Sequence, residues 1–311
     1  MKQSEALGAG PPRGGSSWTA LAPELASPHA HAAFEGADSP GWRAELELRF
    51  AHRHGRTRLA HRWHRGPLRI QRPFYPANPH GDDTCQVVIL HPPAGVVGGD
   101  RLGMDIGLEA GSQALITTPG ATKFYRSAGA EAVQQARIRV GAGATLEWTP
   151  QETILFDGCR ARIETRVELA AGARFLGWEI TALGRPAARA PFATGRCRQR
   201  FEISREGVPI WIERGEHRGG GESLAGRWGL AGRDAVGVMV CTGGSESVIA
   251  ALRRELEGFA GEGCLAGVTR RRELSVLRVL APETRPIFDL FASLRELALG
   301  EPTPAARIWA T

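Results

Sequence analysis

Residues 43–50 read Arg-Ala-Glu-Leu-Glu-Leu-Arg-Phe, so an apolar side chain stands at every second position of this stretch. Such alternation is typical of a β-strand with one buried face. The pattern recurs in nine further segments, which are residues 85–91, 104–109, 113–117, 135–140, 144–148, 162–169, 174–180, 200–204 and 208–213. Glycine-containing turns separate many of them at intervals of about ten residues. The sequence therefore predicts that the first two thirds of the chain form β-structure.

The last third has a different periodicity. Residues 246–260 and 286–299 carry apolar side chains at helical spacing, and each segment is followed by a glycine. Two strand-like segments, residues 265–269 and 274–280, lie between them. We therefore expect two amphipathic helices and two short strands, which cover the β-body or form a small α+β lobe.

The composition sets the expected boundaries. Residues 1–41 are rich in Gly, Ala, Pro and Ser without periodicity, which predicts a disordered N-terminal extension. The β-body is then expected at about residues 42–243 and the α+β portion at about residues 244–311. The whole chain has a formal net charge of +6, and such a charge favours acidic partner surfaces or nucleic acid.

The cysteines and the hydropathy exclude several classes of protein. Five cysteines stand at wide spacings without any Cys-x-x-Cys pair, which argues against a disulfide framework and against a thiolate zinc site. No apolar run approaches the length of a membrane span, and the N-terminus lacks the apolar stretch of a signal peptide. The sequence predicts a soluble cytoplasmic protein with no membrane partner.

Two irregular loops carry polar side chains between strand-like segments, and such loops often carry function. The first reads His-Pro-Pro-Ala-Gly-Val-Val-Gly-Gly-Asp-Arg at residues 91–101, and the second Thr-Thr-Pro-Gly-Ala-Thr-Lys-Phe-Tyr-Arg-Ser at residues 117–127. Asp100 either accepts hydrogen bonds from local N–H groups in a wide turn, or points its carboxylate into a cavity that a cation can reach. Lys123 lacks the context of a phosphate-binding loop, which argues against a nucleotide site.

Residues 49–72 contain eight arginines, four histidines and no acidic residue. Their histidine spacings resemble metal-binding patterns, but the positive field of the arginines opposes a divalent cation. We expect a solvated basic hairpin. Binding to an acidic partner is one alternative, and nucleic-acid binding is another.

Several carboxylates lie outside the helical segments. Asp83 precedes one predicted strand, and Glu213 ends another. Glu179 alternates with Trp178 and Ile180 and is expected to face away from both, because side chains alternate along a strand. Taken singly, such carboxylates are more often surface groups than functional ones.

The two loops belong to a longer, ordered set of irregular strings. The others are Gln-Arg-Pro-Phe-Tyr-Pro at residues 71–76, Leu-Glu-Trp-Thr-Pro-Gln-Glu-Thr-Ile-Leu-Phe-Asp-Gly at 146–158, Leu-Gly-Arg-Pro at 183–186 and Arg-Ile-Trp-Ala-Thr at 307–311. Together these strings resemble the UreD family of urease accessory proteins, also called UreH, from about residue 42 to the last residue.

The resemblance implies a mainly β fold, with a β-helix-like multi-stranded body and two C-terminal amphipathic helices. It also implies a non-enzymatic scaffold that binds apo-urease and the accessory protein UreF, and through UreF the GTPase UreG, for nickel insertion. A dimer within the accessory complex is left open. No tightly bound cofactor is expected, only Ni²⁺ in transit.

The family is thought to conduct Ni²⁺ through an internal route. A conduit should offer isolated carboxylates, because sparse oxygen ligands release the ion more readily than a closed cage does. The expected route residues, matched to the family's strings, are Asp83, Asp100, Glu179 and Glu213. The tail residues Arg307, Ile308 and Trp309 are expected at a partner surface.

Two other classes of protein stay open. A β-helical enzyme acting on an anionic or carbohydrate substrate would use Asp100 or Glu152 with Lys123, and it should show paired carboxylates in a cleft open to solvent. A nucleic-acid-binding module would use residues 49–72 as part of a continuous basic groove. The resemblance favours the scaffold, with no nucleic-acid partner.

Overall fold

The computed structural model describes residues 41–76, 84–259, 261 and 263–310. Asp83 and all but the last residue of the predicted N-terminal extension lie outside these residues. The described strands, in chain order, are β1 (Arg43–Arg53), β2 (Arg56–Arg65), β3 (Arg69–Ile70), β4 (Cys85–Leu90), β5 (Arg101–Leu108), β6 (Gln113–Thr117), β7 (Thr122–Phe124), β8 (Ala132–Val140), β9 (Thr145–Thr149), β10 (Thr153–Leu155), β11 (Arg160–Leu169), β12 (Arg174–Arg185), β13 (Ala190–Pro191), β14 (Arg196–Arg205), β15 (Val208–Arg218), β16 (Ala235–Thr242), β17 (Leu265–Arg271) and β18 (Leu274–Ala281). The described α-helices are α1 (Glu222–Ala225), α2 (Glu246–Phe259) and α3 (Thr284–Leu299).

The strands form two large sheets. The first has the order β15-β14-β11-β8-β5-β1-β2, and the second has the order β17-β18-β16-β12-β9-β6-β4-β3. Neighbours from β1 through β14 in the first sheet, and from β4 through β12 in the second, pair in parallel. In the parallel part, the chain alternates between the second and first sheets in the order β4, β5, β6, β8, β9, β11, β12 and β14, so it winds as stacked coils. The β-helix-like body predicted from the sequence is confirmed.

Alternation along each strand builds the core. In β1, the side chains of Ala44, Leu46, Leu48 and Phe50 are buried, while the residues between them are more exposed. The inward side chains of the two sheets meet in one continuous apolar cluster. Parallel pairing requires a crossover between strands, and the opposite sheet of the coil supplies it here.

Antiparallel hairpins flank the coils of the first sheet. Strands β1 and β2 turn at His54 and Gly55, which both have positive φ, as a tight hairpin turn requires. This hairpin contains most of the basic segment 49–72, so the expected basic hairpin is confirmed. The charged edge strand β2 discourages further strand pairing. At the other end of the sheet, β15 pairs antiparallel with β14.

Helices α2 and α3 cover the outer side of the second sheet, whereas the short α1 contacts β15 of the first. Helix α3 packs on β12, β16 and β18, and a second apolar cluster around Trp178 fills this layer. Gly237 on β16 lets α3 approach closely, because a Cβ atom there would lie 2.4 Å from Cγ2 of Ile287. The two predicted C-terminal helices are confirmed. No helix in the described part of the chain is long and apolar enough to cross a membrane.

Candidate functional site

A cavity of about 290 Å³ lies in the β-body beside the loop at residues 118–123. Its wall combines apolar side chains with mostly neutral polar ones, and Glu179 is the acidic side chain among the described residues that line it. His91, Lys123, Thr165, Glu179 and Gln199 are among the polar side chains of this wall. Both irregular loops singled out in the sequence contribute to this wall.

Glu179 is the carboxylate that borders the first cavity. Strand β12 turns Trp178 and Ile180 toward the helices, where both are buried, and so turns Glu179 toward the space between the sheets. This orientation is the one that alternation predicts. The Glu179 side chain is enclosed by protein on all sides, but it stays partly accessible because it borders the two cavities.

The surroundings of Glu179 disfavour its charge. Thr165 Oγ1 donates a hydrogen bond of 2.7 Å to Glu179 Oε1, and no arginine or lysine of the described residues forms an ion pair with it. Burial raises the pKa of Glu179 to about 7, and the charge of Glu213 raises it as well, while the Thr165 hydrogen bond opposes the shift. Near neutral pH this carboxyl group is therefore divided between its protonated and its charged form.

A second cavity of about 120 Å³ shares the side chains of Glu179 and Gln199 with the first. Glu213 lines it, and Arg278 Nη2 lies 3.1 Å from Glu213 Oε2. The Arg278 side chain is 56% exposed, so this ion pair stands where the second cavity meets the surface. Two of the predicted route residues thus lie at one cavity.

A polar chain crosses the same region. Gln199 Nε2 donates to Thr181 Oγ1 at 2.8 Å, and Gln199 Oε1 lies 2.9 Å from His217 Nε2. Burial lowers the pKa of His217, which favours a neutral imidazole that donates to Gln199. Sequence reasoning missed this series of hydrogen bonds, because Thr181, Gln199 and His217 lie on three separate strands.

Asp100 lies in the first loop, is 6% exposed and caps a turn. Its two oxygens accept hydrogen bonds from Trp42 N at 2.8 Å and Val97 N at 3.0 Å. Burial lowers the pKa of His91, which lines the first cavity, and the charge of Asp100 partly offsets that shift. Its contacts match the wide-turn alternative drawn from the sequence.

The enzyme alternative drawn from the sequence placed Asp100 or Glu152 beside Lys123. Lys123 does line the first cavity, but the residues that line it include neither Asp100 nor Glu152. Among the described residues, no group of three or more His, Cys, Asp or Glu side chains is arranged to hold a metal ion. The site is thus a pair of cavities with sparse carboxylates rather than a closed metal cage.

Comparison with known proteins decides the family. The model of the UreD urease accessory protein family matches residues 43–310. The chain belongs to the UreD family of urease accessory proteins.

Individual relatives agree with this assignment. Urease accessory protein UreD 2 of Brucella anthropi is 45% identical over 278 residues, which cover 88% of this chain and 100% of the relative. The UreD proteins of Dechloromonas aromatica and of a Nostoc species are 42% and 44% identical, and the matches cover 88% and 84% of this chain and 96% and 92% of those relatives. The resemblance stated from the sequence is confirmed.

In the UreD family tail, which begins at residue 307, Trp309 lies against the body. Trp309 packs on Trp178 and Phe288, with ring centroids 5.8 Å and 5.7 Å apart, and its Nε1 donates to Thr117 Oγ1 at 3.2 Å. Arg307 is exposed. The role of Arg307, Ile308 and Trp309 in partner binding stays a prediction, and Trp309 has a structural role besides.

A buried ion pair fixes this tail. Arg295 on α3 and Glu147 on β9 are 2% and 3% exposed, and Arg295 Nε lies 3.1 Å from Glu147 Oε2. Burial raises the pKa of Glu147 to about 7, although the guanidinium of Arg295 opposes the shift. Arg295 also donates to the carbonyl oxygens of Thr303 and Pro304 and lies over the ring of Trp309. No sequence signal marked this pair.

Proposed function

We propose that the chain is a non-enzymatic scaffold for urease maturation. It binds apo-urease and UreF, recruits UreG through UreF, and passes Ni²⁺ through the two cavities toward urease. The observation that carries the nickel route is Glu179, a carboxylate without a cationic partner among the described residues, which faces both cavities.

The chemistry of the cavities suits an ion in transit. A divalent cation prefers oxygen and imidazole ligands, and a closed set of them would retain it. Here the carboxylates of Glu179 and Glu213 are the two acidic side chains among the described residues that line the second cavity, with neutral Thr165 and Gln199 close to Glu179. A cation at Glu179 would also displace its proton, because the pKa near 7 leaves that proton loosely held.

Arg278 would regulate one end of this route. Its guanidinium forms an ion pair with the carboxylate of Glu213 and repels other cations. The ion pair must therefore open before Ni²⁺ reaches the surface there. The pair is partly exposed, where such pairs are worth only about 0–1 kcal/mol, and a partner surface could open it at little cost. Asp83 and Asp100 stay predictions as further route residues.

Co-expression tests the scaffold and the route separately. Tagged urease subunits are expressed with UreF, with and without the chain, and UreF is measured in the urease pull-down. We expect UreF to co-purify with urease only when the chain is present. Failure of UreF and of the chain to bind urease would refute the scaffold.

The route is tested by Glu213→Gln, with Glu257→Gln on the exposed face of α2 as the matched control. We expect both variants to assemble as the wild type does. Urease activity should fall several-fold only with Glu213→Gln. Equal activation by the two variants would remove Glu213 from the route and leave the scaffold intact.

A further inference from the structure

A bowl on the surface of the first sheet is lined by four arginines, Arg126, Arg160, Arg196 and Arg218, together with glycine-containing turns. Its volume is about 610 Å³, and it lies apart from the two cavities described above. We propose that this arginine bowl binds an acidic peptide segment of a protein partner.

The register of the coils creates the bowl. Arg160 on β11 pairs with Arg196 on β14, which in turn pairs with Arg218 on β15. Neighbouring strands are about 4.8 Å apart, so three guanidinium-bearing side chains start from adjacent positions on one face. Like charges directly opposite each other destabilise a sheet. An anion bound among them would relieve that repulsion.

The carboxylates nearby do not neutralise the bowl. Arg126 pairs with Asp157, and Arg218 pairs with Glu216. Asp157 is also held by the backbone N–H and hydroxyl of Thr194, at 2.7 Å and 2.9 Å.

The other two arginines have no such partner. Within the described part of the chain, no carboxylate lies at salt-bridge distance from Arg160 or Arg196. Four guanidinium groups therefore face two carboxylates, and the bowl keeps an excess of positive charge.

The chemistry favours an acidic peptide over nucleic acid. Guanidinium groups form paired hydrogen bonds with carboxylates, and side chains at every second position of an extended peptide are about 7 Å apart, within reach of this row of arginines. None of the described residues that line the bowl is aromatic, so bases have no ring to stack on.

The first test measures binding to the full-length chain with acetylated hexaglutamate as the probe, and with hexaglutamine and inorganic phosphate as comparison probes. The wild type should bind hexaglutamate, more weakly as salt rises, and should bind hexaglutamine at least tenfold more weakly. Hexaglutamate, but not hexaglutamine, should raise the Tm. Tighter binding of inorganic phosphate than of hexaglutamate would overturn the peptide assignment.

Paired variants place the binding at the bowl. The double substitution Arg160→Gln/Arg196→Gln should weaken hexaglutamate binding at least tenfold and raise the Tm of the unliganded chain, because it removes the repulsion. The control, Arg253→Gln/Arg254→Gln on the exposed face of α2, removes the same charge elsewhere and should bind as the wild type does. Equal binding by both double variants would refute the proposal. This test does not depend on the nickel route, because it measures binding and not urease activation.

Discussion

Replacing Glu179 by Gln should stabilise the protein at alkaline pH. The folded pKa of Glu179 is about 7, against a value of 4.5 for the free side chain, because burial disfavours the charged form. The folded chain therefore holds more protons than the unfolded chain between these two pH values, and stability falls as pH rises through that window. At 1.36 kcal/mol per pKa unit, ionisation of Glu179 lowers the free energy of unfolding, relative to a group that does not ionise, by about 3 kcal/mol at pH 8 and by about 1 kcal/mol at pH 5.

Gln keeps an oxygen that accepts the Thr165 hydrogen bond and removes the titration. We expect Glu179→Gln to raise the free energy of unfolding by about 3 kcal/mol at pH 8, which corresponds to a rise in Tm of about 6 °C in a chain of this size. At pH 5 the gain should shrink to about 1 kcal/mol.

Thermal unfolding of the full-length chain at both pH values measures this difference. Glu147 titrates near the same pH, but it is present in both proteins, so the comparison isolates Glu179. Glu257→Gln at the surface should leave the Tm as in the wild type at each pH. The reasoning is refuted if Glu179→Gln is no more stable than the wild type at pH 8, or if its gain is the same at pH 5. A confirmed gain would mean that this carboxylate opposes stability, as functional groups often do.

Two further predictions concern the covered C-terminal tail. Arg295→Met leaves Glu147 buried without its cation and should lower the free energy of unfolding by about 3–5 kcal/mol, and Arg295→Met/Glu147→Gln should recover much of that loss. Urea unfolding measures both variants, and a double variant as unstable as Arg295→Met would contradict the ion-pair account. Trp309→Ala removes the indole ring that packs on Trp178 and Phe288 and should lower the free energy of unfolding by about 2–3 kcal/mol, less than the loss of a fully buried tryptophan. Backbone hydrogen exchange of residues 301–309 should become faster, and unchanged protection would show that Trp309 does not hold the tail.

The spacing of apolar residues predicted most of the strands and helices, because it depends only on residues that are close in the sequence. Apolar alternation in β1 marked the buried face without knowledge of its neighbours, and helical spacing marked α2 and α3. Glu179 was placed correctly for the same reason: its neighbours Trp178 and Ile180 had to face the other side.

The remaining features depend on contacts between distant residues. Glu147 lies between Leu146 and Trp148, and alternation alone would place it on an outer, solvated face. It is buried because α3 and the tail cover that face, which no local pattern reveals.

The arginine bowl shows the same limit. Arg160, Arg196 and Arg218 are separated by more than twenty residues each, and only the register of the coils brings them side by side. Sequence periodicity fixes which face a side chain takes, but not which strand becomes its neighbour.

The nickel content of urease tests the central claim most directly. Apo-urease is activated in the complete accessory complex containing the wild-type chain, Glu179→Gln or the control Glu257→Gln, and nickel per active site is measured by mass spectrometry. The account predicts equal assembly of the three complexes and a several-fold loss of nickel only with Glu179→Gln. Wild-type nickel content with an intact Glu179→Gln complex would show that the ion does not pass this carboxylate.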